Sequence, residues 1–132
     1  MCYNVLEFGR IDMKVMLHVS LYGNENIDIN TSGIKTKNTY KYKENDILVK
    51  VKVDRDILYI NRKCNDYEIN LVFKENNNTI STYTVFGGFK KFNLETNTNK
   101  LIISSDKIEL EYSIEDSRFK YLLEVKHEGE TN

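Results

Sequence analysis

Three side chains in this 132-residue chain could grip a small molecule: Arg62, Tyr83 and Tyr112. A guanidinium binds a carboxylate through two parallel hydrogen bonds, so Arg62 suits an acidic ligand if it faces the interior. Its direction turns on loop length. If Asp54-Arg55 is a two-residue turn, Leu58 and Ile60 oppose Val51 and Val49, and Arg62 lies on the core face opposite Ile47. If the loop is Asp54-Arg55-Asp56, Val53 opposes Ile57 and Arg62 joins Lys50 and Lys52 outside, because one residue of slip moves every side chain to the other face. Unpaired buried arginine is costly, which favours the rim or solvent. Tyr83 and Tyr112 fall on apolar faces, where a hydroxyl can hold a polar ligand head or bond to a backbone group.

Other constellations carry less chemistry. Glu109 and Glu111 sit two apart on one strand face as an acid pair would, yet read as solvated strand charges. His18 alternates with Met16 and Ser20 opposite an apolar row and reads as a surface histidine. Asp54 and Asp56 lack the glycine and closing glutamate of a calcium loop. Cys2 and Cys64 are far apart and, with only His18 and His127, fit no zinc spacing, so both read as free thiols of a reducing compartment. The stretch STYTVFGGFKKF lacks the spacing and helix of a phosphate-binding loop. It reads as a hairpin through Gly87-Gly88 of type I′, with Val85 opposite Lys90, Tyr83 opposite Phe92 and Ser81 opposite Leu94. Phe86 and Phe89 then mark a tip beside Lys90 and Lys91, a patch able to stack a base and hold a phosphate. No catalytic triad is readable; no enzyme activity, cofactor or metal is expected.

What must position these residues is a sheet. Alternating apolar residues form one row after another: Val15 to Leu21, Ile47 to Val53, Tyr67 to Phe73, Ile108 to Ile114, and Phe119 to Val125. Turn residues recur between the rows, among them Glu44-Asn45-Asp46, Asn76-Asn77-Asn78, Asn97-Thr98-Asn99 and Glu115-Asp116-Ser117. Each strand has one face to bury, so the pattern implies a sheet closed on itself or two facing sheets, all-β with little or no helix. The chain is 40% apolar and 30% charged with net charge -1, which suits one ordinary globular domain and names no partner. Charge is nonetheless uneven: Lys35 to Lys63 holds nine basic and four acidic residues, whereas Ser105 to Asn132 holds four basic and eight acidic. Apolar runs reach four residues and no secretory signal opens the chain, so a cytoplasmic protein without a membrane span is expected.

The stretches ILYINRK (Ile57 to Lys63), INLVFKENNNTISTYTVFGG (Ile69 to Gly88) and KIELEYSI (Lys107 to Ile114) resemble the YwiB-like family, bacterial domains of unknown function with a calycin-like β-barrel. The resemblance spans about Met13 to His127. It departs where Val85 stands in place of a frequent proline and where Ile27 to Lys43 looks short for the family. What it implies is a single lipocalin-like antiparallel barrel of about 8–10 strands at 13–128, after an extension at 1–12 and before a flexible tail at 129–132. The function expected from it is non-catalytic binding of a small apolar or amphipathic ligand inside the barrel, for which Arg62, Tyr83 and Tyr112, singled out above from their register and chemistry, would be the contacts. The alternative is a nucleic-acid, ribosome-associated or protein-interaction module acting through its surface.

Overall fold

The computed structural model describes residues 12–24 and 26–127. The expected extension apart from Asp12, the tail at 129–132, and Cys2 all lie outside the described residues. Alternation produces ten strands: β1 (Asp12–Tyr22), β2 (Ile27–Thr36), β3 (Thr39–Glu44), β4 (Ile47–Asp54), β5 (Ile57–Lys63), β6 (Tyr67–Lys74), β7 (Asn78–Val85), β8 (Lys90–Ile103), β9 (Lys107–Ile114) and β10 (Ser117–His127). Each pairs antiparallel with its neighbours in sequence, and β1 closes the ring on β10 from Val15 opposite His127 to Tyr22 opposite Lys120. The sheet is a closed barrel, so each strand turns its apolar face into one shared core.

The rows read from the sequence are the inward rows. Val15, Val19, Val49, Val51, Phe73 and Leu123 are fully enclosed, and each such side chain contributes about 1.5–3 kcal/mol by leaving water. Gly33 is inward too, opposite Val15 and Tyr42, and a Cβ there would lie 2.6 Å from the Lys41 carbonyl oxygen and 2.8 Å from Leu17 Cδ1. Only a residue without a side chain lets those strands approach so closely.

The segment from Ile27 to Lys43 holds β2 and most of β3, joined by a two-residue turn at Lys37-Asn38. Three expectations change. Asn97-Thr98-Asn99 is not a turn but an irregularity within β8, where the register shifts between Thr98 and Lys100. There the β6–β7 turn docks on β8, with the Asn76 N–H donating to the Thr98 carbonyl and the Thr98 N–H to that of Asn77. At the β7–β8 hairpin the expected register holds, Val85 to Lys90 and Tyr83 to Phe92. The turn differs from type I′, because positive φ falls on Gly88 (86°) and Phe89 (53°). Lastly, the β4–β5 loop is Arg55-Asp56, with Asp54 opposite Ile57 and φ of 60° at Arg55.

Candidate functional site

That loop settles Arg62. It opposes Val49, a third register that shares its facing with the first alternative, and so it points inward. The carboxylate it needs is supplied within the barrel. Tyr40, Tyr42 and Glu44 alternate along β3 and are all buried, which carries the Glu44 carboxylate inside. Arg62 Nη1 donates to Glu44 Oε2 at 3.2 Å, and Nη2 donates to Oε1 to complete a two-pronged pair. The side chains keep 14% and 6% of their exposure. Burial works against the guanidinium charge, but the hydrogen bond and charge of Glu44 outweigh it and raise the Arg62 pKa. Removing one partner of such a pair strands the other charge away from water.

Tyrosines ring this pair. The Tyr42 and Tyr121 hydroxyls meet at 2.9 Å in a buried hydrogen bond. Burial pushes Tyr42 up to about 12, against the opposing effect of that bond, and pushes Tyr121 well above the ordinary tyrosine range. Tyr112 is likewise pushed to about 12 by burial, with the Arg62 charge pulling the other way. Its ring lies 4.6 Å from Phe73 and stacks on Phe119 at 5.0 Å. Arg62 and Tyr112 are therefore brought to one end of the interior, Arg62 against the rim or solvent position that the cost of burying it favoured. Tyr83 stands further out: half-buried, it packs edge-on against Tyr67 at 5.8 Å and stacks on Phe92 at 6.1 Å, and Phe92 is 46% exposed. These three rings form an aromatic mouth at the end where β3, β5, β7 and β9 finish.

The hairpin tip leans on this mouth. The Phe86 N–H donates to the Asp66 carbonyl, whereas Phe89 stands 84% exposed beside Lys90 and Lys91. Glu109 lies between Lys107 at 3.1 Å and Lys100 at 3.3 Å, a solvated charge cluster. Cys64 is a free, partly buried thiol. Among the described residues no three His, Cys, Asp or Glu side chains gather as a metal site, and no helix is long and apolar enough to cross a membrane.

Sequence reasoning missed Glu44, Tyr42 and Tyr121 as members of the cluster. The signal existed: in TYKYKE, Tyr40, Tyr42 and Glu44 fall on every second residue, which puts the glutamate on the face of the tyrosines. It was masked because Glu44 begins the acidic, asparagine-containing stretch of the next turn.

The geometry defines a closed ten-stranded antiparallel barrel of the calycin-like kind, with a neutralised ion pair and a tyrosine cluster inside one end. No protein-family model matches the sequence, and no curated protein matches it. The solved structure of the YwiB protein from Bacillus subtilis superposes with a TM-score of 0.72 at 18% identity, over 92% of this chain and 97% of that one. The two share this fold along nearly their whole lengths, in line with the resemblance drawn from the sequence.

Proposed function

We propose that this barrel is a cytosolic, non-catalytic module that binds a small amphipathic molecule through its aromatic end. One observation carries the reading. Thr98 and Tyr112 are cross-strand neighbours on the inward face, 2% and 6% exposed. The Thr98 Oγ1 is buried with no hydrogen-bond partner among the described residues, and burial pushes up the pKa of the Tyr112 hydroxyl on the neighbouring strand. A buried hydroxyl left unpaired costs about 1–3 kcal/mol, a penalty that a ligand's polar head would remove. Arg62 already has its carboxylate in Glu44, so the head that fits is neutral, a hydroxyl or carbonyl rather than an acid. The apolar body would lie against Phe73 and Phe119 and reach the rings of Tyr67, Tyr83 and Phe92.

Native mass spectrometry of freshly purified protein tests this. The wild type should carry a small-molecule adduct, and Thr98→Val with Tyr112→Phe should lose it while melting no lower than the ligand-free wild type. Repeated bare mass for the wild type, or an adduct kept in full by the double variant, would overturn the reading.

A further inference from the structure

Charge on the outer wall is sorted by strand. On β8 and β9 lysines lie among glutamates, Lys107 and Lys100 both reaching Glu109. On β3 to β5 they face one another. Lys41 directly opposes Lys50 across the β3–β4 ladder, and in the next outward row Lys43 and Lys63 flank Leu48 from both sides. Among the described residues no carboxylate lies within ion-pair distance of these four lysines. Like charges set directly opposite destabilise an antiparallel pair. The Lys41–Lys50 pair therefore carries a repulsion that the fold does not need, and an anion laid across it would relieve it, whereas Lys63 faces Glu68 on β6.

Apolar side chains interrupt the lysines. Leu48 is 50% exposed between Lys43 and Lys63; Ile34 is 40% exposed between Lys14 and Lys41 on the adjoining strands; Tyr59 is 36% exposed beside Lys52. Two shallow depressions run along this wall and meet at Leu48, one towards Ile34 and one towards Tyr59 and Asn61. The row of Lys63 continues through Glu68 and Thr84 to Lys91, at the base of the exposed Phe89 tip.

We propose that the outer face of β2–β5 binds a single-stranded nucleic acid, with phosphates on Lys41, Lys43, Lys50 and Lys63 and unpaired bases against Leu48 and Tyr59. Alternation places a lysine every ~6.8 Å along a strand, with an apolar neighbour ~4.8 Å away across it. A chain of alternating phosphates and flat bases matches that repeat of charge and apolar surface. A duplex would engage the lysines but leave Leu48 and Tyr59 idle. A membrane would require a continuous apolar patch, whereas each apolar residue here is ringed by charge. The face lies outside the barrel and stands independently of the interior reading.

Fluorescence anisotropy with a labelled single-stranded 12-mer RNA decides the matter, alongside the same sequence as a duplex and vesicles of anionic phospholipid. Four phosphate contacts predict a slope of log K against log salt of about -2.8, a loss of about 50-fold between 50 and 200 mM salt. Lys41→Gln with Lys50→Gln should cut that slope by about 1.4, and Tyr59→Ala should weaken binding about tenfold. Lys107→Gln with Lys120→Gln, on the opposite wall, should change neither. The proposal falls if the strand does not bind at 50 mM salt, if binding is flat with salt, if the opposite-wall variant loses as much, or if the duplex or the vesicles bind as tightly.

Discussion

At the scale of single residues, the internal charge is the costliest feature of the barrel and the most revealing to perturb. Arg62 and Glu44 satisfy each other through two hydrogen bonds. Glu44→Ala leaves a guanidinium enclosed without a partner and should cost about 3–5 kcal/mol in urea unfolding. Arg62→Met with Glu44→Leu, which removes both charges, should lose far less. His18 makes a different prediction. On the outer face of β1 it lies between Asp28 of β2 (Nε2 to Oδ1, 2.6 Å) and Glu124 of β10 (Nδ1 to Oε1, 3.2 Å). The Glu124 hydrogen bond first, and that of Asp28 second, raise its pKa above the ordinary 6.5. A raised pKa means the folded state holds the proton more tightly, so this stabilisation is full below about pH 6.5 and is lost as pH climbs through the raised value. The melting temperature should carry a falling component over that window, and His18→Gln should remove it.

Between elements, side chains repair the ladder where strands part. The β6–β7 pairing runs from Tyr67 opposite Val85 to Asn70 opposite Thr82. Beyond it, the Val72 N–H donates to Ser81 Oγ at 3.1 Å and the Thr79 hydroxyl donates to the Val72 carbonyl. Ser81 also bonds Thr96 at 2.8 Å inside the wall. Ser81→Ala removes a few atoms yet leaves the Val72 amide unpaired, and should cost about 1–3 kcal/mol in chemical denaturation. Hydroxyl stitches of this kind are hard to read from sequence, since Ser81 and Thr96 belong to no apolar row. The apolar rows themselves were legible because a two-state rhythm in side-chain polarity is what a half-buried strand imposes. The register of β7 on β8 was legible too, even with the turn type wrong, because centring the hairpin on Gly87-Gly88 sets Val85 opposite Lys90 and Tyr83 opposite Phe92 whichever turn closes it. Arg62 was not decidable: the two loops weighed differ by one residue, and the actual loop is neither, held by a left-handed Arg55 that nothing in the side chain demands. Glu44 was lost for the opposite reason, a turn-like neighbourhood hiding an inward position.

For the whole molecule, closure of the ring leaves the strength of the wall to be set by its shortest seams. The β2–β3 ladder spans only Gly33 to Thr36 against Tyr42 to Thr39, while β2 itself begins at Ile27. The β6–β7 seam is equally short but is stitched by Ser81 and Thr79. Amide exchange should therefore be faster at the β2 and β3 amides that face each other across this seam than along β4 and β5, whose ladder runs from Leu48 to Asp54, even though β1 holds the other edge of β2 along its whole length. Uniform protection around the ring would contradict this. The same seam lies next to Glu44, on the flank of the tyrosine cluster. A barrel whose staves are joined least firmly there can admit a guest from the side, without the aromatic mouth having to open at all.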